Sequence, residues 1–272
     1  MNKSVCPVLL IHGWNSHPGI WKRMIAGLEA AGIPAWNFGY AENPDPHPVT
    51  VAEDLHDFIA DMRRKNRYQG EIDIITHSMG THITRFLLEV QDGKEKAERV
   101  RQFIGIGPPN NGSSMAELFC DPIYGEEMIR LLEGIFVPPG YDPGDDSLVQ
   151  EVRPGSVTMA TLKSAGLRDD IRYRCILSRN ITHTESFFPI LAGRTWIFHE
   201  DGTWETTFDG DGVIPHSDSI MPGIQPEIIP LDNSLFTNCP HQFCHGNLPK
   251  NPEVIQCVIG YLTGTENENC SF

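Results

Sequence analysis

The residues of this chain with a setting for chemistry are one serine, two aspartates and a few histidines. Residues 72–75 read as a buried strand that runs into Thr76-His77-Ser78-Met79-Gly80, and a strongly periodic helical segment follows at once. A serine on so sharp a strand-to-helix turn has a strained backbone, and its hydroxyl stands clear of the sheet. Small residues two before and two after the serine let strand and helix approach. Gly80 meets that demand, whereas Thr76 is bulkier than the glycine the pattern favours. Ser78 is thus the candidate nucleophile, and the competing reading is a serine that caps the helix.

A serine hydroxyl is a weak nucleophile near neutral pH and needs a base and donors for the developing oxyanion. Leu10-Ile11-His12-Gly13-Trp14 offers the donors, because an apolar strand ending in His-Gly brings backbone N–H groups to the carboxyl edge of a sheet. The amides of Trp14 and Met79 are the expected oxyanion hole, and His12, which precedes the nucleophile in the chain, is taken as a structural histidine. In a Ser-acid-His order the acid follows Ser78 and the base follows the acid. Asp209 and Asp211 are both available as the acid, and His216, His241 and His245 as the base. His216 lies five residues from Asp211 in one loop, too constrained to reach back to the serine.

These residues must be held by elements that hydropathy patterns locate. Val8–Ile11, 35–40, 72–75, 100–106, 171–177 and 227–231 read as strands. Helical spacing marks 21–31 (face Met24, Leu28, Ala31), 49–65 (Val51, Leu55, Phe58, Ile59, Met62) and 79–91 (Ile83, Phe86, Leu87, Val90). A last helix takes its face from Val254, Cys257, Val258 and Tyr261. Strands alternating with helices predict a mostly parallel sheet with helices on both faces. The alternation breaks over about 111–165, where apolar residues recur at helical spacing in two stretches: Met115, Leu118 and Phe119, then Met128, Leu131, Leu132, Ile135 and Phe136. This region reads as an insertion on a single domain spanning 1–272.

Composition narrows the function classes. The 272 residues are 40% apolar, enough for a full core, and no apolar run approaches the length of a membrane span. With 21 basic against 36 acidic residues the net charge is −15, which repels nucleic acid and anionic surfaces. The seven cysteines form no CxxC pair, so a structural zinc site is not expected. Their number leaves at least one free or paired between chains, and Cys239 and Cys244 are near enough for a local bridge. No signal peptide precedes the first strand, which implies a cytoplasmic protein as the chain is written, or a secreted one whose leader was removed.

Taken together, the motifs resemble the α/β-hydrolase superfamily, and within it the bacterial triacylglycerol lipases and esterases. His12-Gly13 follows the first strand. Thr76-His77-Ser78-Met79-Gly80 is similar to the Ala-His-Ser-Met-Gly elbow of small Bacillus-type lipases. Pro108-Pro109-Asn110-Asn111-Gly112-Ser113 looks like the lipase Pro-x-x-Gly-Ser loop. Asp211-Gly212-Val213-Ile214-Pro215 resembles the Asp-Gly-x-Val-Pro acid loop, which favours Asp211 over Asp209. His245-Gly246-Asn247-Leu248 resembles the family's His-x-x-Leu approach to its terminal helix, which favours His245 over His241. The resemblance covers roughly 5–112 and 205–262. It implies an α/β-hydrolase fold with a helical lid or cap, a Ser78-Asp211-His245 triad, a small-molecule or lipid ester substrate, a lipid interface as partner, and no organic cofactor. Acidic residues near Asp211 (Glu200, Asp201, Glu205, Asp209) are oxygen ligands of the kind calcium takes, although their spacing is not that of an EF-hand. The same triad would serve an acyltransferase or thioesterase, and a scaffold that has lost catalysis is a further reading.

Overall fold

The computed structural model describes residues 6–41 and 46–265. The first five residues, on which the leader expectation rests, and Cys270 lie outside the described residues. Strands β1 (Val8–Ile11), β2 (Ala35–Phe38), β3 (Ile72–His77), β4 (Val100–Ile106), β5 (Arg172–Ser178) and β8 (Glu227–Ile229) form a six-stranded sheet in the order β2-β1-β3-β4-β5-β8. Every neighbouring pair is parallel. Strands covered on both faces read as continuous apolar runs, as β1 does. Alternate side chains of β1 go to opposite faces: Val8 and Leu10 to one cluster, Leu9 and Ile11 to the other.

The Val8 face is covered by α1 (Lys22–Ala30) and the terminal helix α10 (Pro252–Thr263). Asn251 caps α10 by accepting from the amides of Glu253 and Val254, Pro252 opens the helix, and Gly264 closes it in the left-handed region. Two expected face residues differ. Ala31 ends α1 and is exposed, and Leu262, not Tyr261, is the fourth buried residue of α10. Tyr261 turns to the helix flank, where its hydroxyl donates to Glu227 at 3.0 Å.

The other face carries α2 (Pro48–Asn66) and α3 (Met79–Arg85), with Val51, Leu55 and Ile59 of α2 fully buried. The expected single helix over 79–91 divides. After Arg85 the chain takes a wider π-type winding from Phe86 to Asp92, ending where Gly93 N–H donates to Leu88 O. Here Arg85 pairs with Glu89 in the interior, and its Nη1 also donates to Asn110 O.

Between β4 and β5 lie α4 (Ser114–Phe119), α5 (Gly125–Leu132), α6 (Ser147–Glu151) and α7 (Val157–Ala165). α7 packs against the π-type segment as an ordinary crossover helix. Leu131 and Ile135, both on the expected apolar face, are exposed, Ile135 at 64%. A hairpin, β6 (Thr195–Phe198) with β7 (Trp204–Thr207), follows β5; its strands have four residues each and were not among the expected ones. Short helices α8 (His216–Ser219) and α9 (Asn233–Asn238) complete the chain. Cys239 and Cys244 carry free thiols, so the local bridge their spacing allows is not formed. No helix of the described residues is long and apolar enough to cross a membrane.

Candidate active site

The site forms where β1, β3, β4 and the loop before α10 meet at the carboxyl edge of the sheet. Ser78 joins β3 to α3 with φ 52° and ψ −127°, a strained conformation for a residue with a Cβ. Its side chain makes no capping hydrogen bond, so the reading of Ser78 as a helix cap does not describe this turn. A Cβ on Gly80 would sit 2.5 Å from His12 O and 2.7 Å from Ile11 O, which is why a residue without a side chain stands there. Thr76 is accommodated differently: its hydroxyl is fully buried and hydrogen-bonded to Thr81 Oγ1 at 2.7 Å.

His245 opens the 3₁₀ segment His245–Lys250, and its ring lies over the serine. Its Nε2 is 2.9 Å from Ser78 Oγ and its Nδ1 2.7 Å from Asp211 Oδ2. An ionised carboxylate only accepts, so Nδ1 carries the proton and Nε2 accepts from the serine hydroxyl. Asp211 Oδ1 accepts from the amides of Val213 and Ile214, and His245 N–H donates to Asp211 O, so the acid is fixed from three sides. Gly107, at the end of β4 with φ +53°, was not singled out in the sequence. A Cβ there would fall 2.8 Å from Asp211 Oδ2, so only glycine leaves room for the Asp211–His245 pair.

The rival candidates lie elsewhere. Asp209 is exposed, His216 Nε2 donates to Ser178 O, and His241 is exposed beside Arg23 and Lys250. His12 stacks on Tyr40 with ring centroids 4.3 Å apart, donates from Nδ1 to Gly13 O, and accepts at Nε2 from Tyr40 N–H. Burial lowers its pKa. The ring thus braces the Gly13-Trp14 loop. Among the described residues the amides of Trp14 and Met79 have no protein acceptor, and both residues line the cavity beside Ser78.

That cavity is small. Its walls are apolar, with Met115, Phe119, Phe136, Val149 and Ile214 prominent, and its volume is about 30 Å³. Ser78 is 9% exposed and His245 2%. Phe136 meets the His245 ring edge-on at 6.2 Å. The loop bearing Trp14 is clipped to the 133–148 segment: Trp14 Nε1 and Tyr141 Oη both donate to Asp146 Oδ2, and Asn15 Nδ2 donates to Phe136 O. The motif Pro108 to Ser113 is stitched to the turn after the acid loop, with Asn110 donating to Ser219 O and Asn111 to Ser217 O.

Asp218 in that turn holds α4 in place by accepting from Ser114 N and Oγ. Burial outweighs these donors and pushes its pKa up from 3.8 to about 7. Folded Asp218 therefore binds its proton more tightly than the unfolded chain does. The stability that Asp218 contributes is fully present below the unfolded value and is lost as pH rises through about 7. Urea melts at about pH 5 and pH 8 should show a higher midpoint at pH 5, and Asp218→Asn should narrow that difference; an unchanged difference would remove Asp218 as its source.

Among the described residues no three of His, Cys, Asp and Glu gather as a metal site. Of the carboxylates considered for calcium, Asp201 accepts from Thr203, Glu205 lies 3.6 Å from His199, and Asp211 is engaged with His245.

A model of the alpha/beta hydrolase family matches residues 8–235, and the chain belongs to that family. Similar solved structures include a Bacillus licheniformis lipase in its mature form (15% identity, 83% of each chain, TM-score 0.60) and the Legionella pneumophila phospholipase PlaB (14%, 97% of this chain and 61% of that one, TM-score 0.59). A metagenomic carboxyl esterase is also similar (16%, 97% and 77%, TM-score 0.58). At these identities the likeness is one of fold. No curated protein matches the chain by sequence.

Proposed function

We propose that this chain is a serine carboxylic-ester hydrolase of the lipase or esterase kind. The observation that carries the reading is the hydrogen-bonded run Asp211–His245–Ser78 at a strained strand-to-helix turn. Ser78 Oγ attacks the ester carbonyl carbon as His245 Nε2 takes its proton. Asp211 holds the Nδ1–H tautomer and stabilises the imidazolium that forms. The amides of Trp14 and Met79 donate to the oxyanion. His245 then protonates the departing alcohol, and water, activated by the same ring, releases the acid and restores the serine. No cofactor enters this sequence. Rates with a chain-length series of p-nitrophenyl esters test the reading. Parallel assays with acyl-CoA and with an added alcohol separate hydrolysis of oxygen esters from thioesterase and acyltransferase activity. No turnover of any ester by folded protein would refute it.

The small size of the cavity supports a second part of the reading, that 111–165 includes a lid. A space of about 30 Å³ is far below the few hundred Å³ of an ordinary ligand pocket, so an acyl chain enters only if Phe136 and its segment move. Exposing some hundreds of Å² of apolar surface at ~25 cal/mol per Å² costs several kcal/mol, so the closed form dominates in water. A neutral lipid surface would cover that area and favour opening, whereas the net charge of −15 disfavours anionic vesicles. Hydrolysis of tributyrin is therefore expected to rise sharply as the ester passes its solubility limit. Smooth saturation through that limit, with acetate esters preferred, would show a fixed cap and a plain esterase.

A further inference from the structure

His77, the last residue of β3, stands directly before the nucleophile and has no part in the reaction described above. It is 4% exposed, and it does not line the cavity at Ser78. Its Nε2 lies 3.1 Å from the backbone oxygen of His245, and the two rings are 4.6 Å apart at 38°. A carbonyl only accepts, so Nε2 carries the proton. Nδ1, on the other edge of the ring, is buried and has no partner. It faces Gly13, where a Cβ would come within 3.2 Å of it. A proton on Nδ1 would be a buried donor without an acceptor, which costs more than an unmet lone pair of a neutral ring.

We infer that His77 is a positioning residue for the reaction: an imidazole whose Nε2–H anchors the backbone of His245 and so sets the base over Ser78. The inference rests on the esterase reading above. Anchoring by a neutral donor matters because His245 becomes an imidazolium during turnover, and a second cation one ring away would oppose that step. Burial above all, and then the basic groups His245, His12 and Lys250, hold His77 well below the ordinary histidine range, against the raising effect of its bond to the His245 carbonyl. The neighbouring glycine completes the arrangement. Because Gly13 presents no side chain, the His77 ring fits between the oxyanion loop and the base loop and registers one against the other.

The test pairs kinetics with a spectroscopic reading of the full-length protein. His77→Phe keeps a planar ring and removes the donor; His77→Gln keeps a neutral N–H. Misplacing a catalytic group by a fraction of an ångström to 1 Å costs up to about 100-fold, so His77→Phe should lose about 10- to 100-fold in kcat on p-nitrophenyl acetate. KM should stay within about twofold, since His77 lines no part of the cavity, and His77→Gln should recover most of the loss. In ¹⁵N-labelled wild type, His77 should show a protonated Nε2 and a bare Nδ1, unchanged from about pH 8 to pH 5, across the range where an ordinary histidine titrates. A wild type that hydrolyses the ester while His77→Phe equals it would overturn the proposal. So would a His77 that titrates in that range or carries its proton on Nδ1. A wild type that hydrolyses no ester would instead remove the esterase reading, and the positioning role with it, whatever the tautomer.

Discussion

Ser78→Ala is expected to abolish ester hydrolysis while leaving the protein folded. The hydroxyl is the only atom removed. Ser78 Oγ contributes no capping bond to α3, and among the described residues its one hydrogen-bond partner is His245 Nε2. The alanine variant must still adopt φ 52°, so the backbone strain of the turn is unchanged. Loss of a serine nucleophile from an intact triad can cost on the order of 10⁶ in kcat, with residual turnover from the oxyanion donors and binding alone. Matching far-ultraviolet dichroism and melting midpoints would establish that fold and stability are kept. A folded Ser78→Ala protein retaining more than about a tenth of wild-type kcat would mean that another group attacks the ester.

His245→Ala should be comparably damaging, and His241→Ala close to wild type. The two histidines lie four residues apart in one loop, so composition and local sequence scarcely separate them. Geometry does, because His245 is buried between Asp211 and Ser78 while His241 faces solvent. Removing the imidazole takes away both the proton acceptor for attack and the donor for the leaving alcohol, so both halves of the reaction slow together. Asp211→Asn would leave the ring in place and present an amide to Nδ1. Its loss, on the order of 10⁴ by analogy with tautomer misplacement in other triads, should be smaller than that of His245→Ala. If His241→Ala proved the more damaging change, the base would be His241, and the His245 contacts would be structural. Kinetics of the three variants at a single saturating ester concentration, with melts as the fold control, decide between them.

Much of this site can be read from local chemistry. The elbow is legible because one segment combines a buried apolar strand, a serine, a glycine two residues on and a helical repeat. The acid and base follow from short motifs near the last strand and last helix, and the three side chains meet within hydrogen-bond reach. The central sheet is legible for a related reason: β1, buried on both faces, is an unbroken apolar run, and β3 opens with three isoleucines among its first four residues. What escapes the sequence depends on contacts distant along the chain. Gly107 looks like any loop glycine until Asp211, about a hundred positions later, is laid against it. The Trp14–Asp146 clip joins residues 132 positions apart. The β6–β7 hairpin is hidden because its four-residue strands are partly exposed and carry only a brief alternation. The π-type winding after Arg85 widens a helix without altering its residue types, so a 3.6-residue period runs on through it. Exposure of Leu131 and Ile135 is unreadable for the opposite reason, since helical spacing marks an apolar face whether or not the fold covers it.

The proposed reaction stands or falls on Ser78, activated by His245, as the nucleophile. It is tested most directly by treating the folded protein with a fluorophosphonate and locating the adduct by peptide mass spectrometry. A single adduct on the peptide containing Ser78 is expected, absent in Ser78→Ala and strongly slowed in His245→Ala. Folded wild-type protein that takes up no label, or that carries it on a residue other than Ser78, would contradict the account.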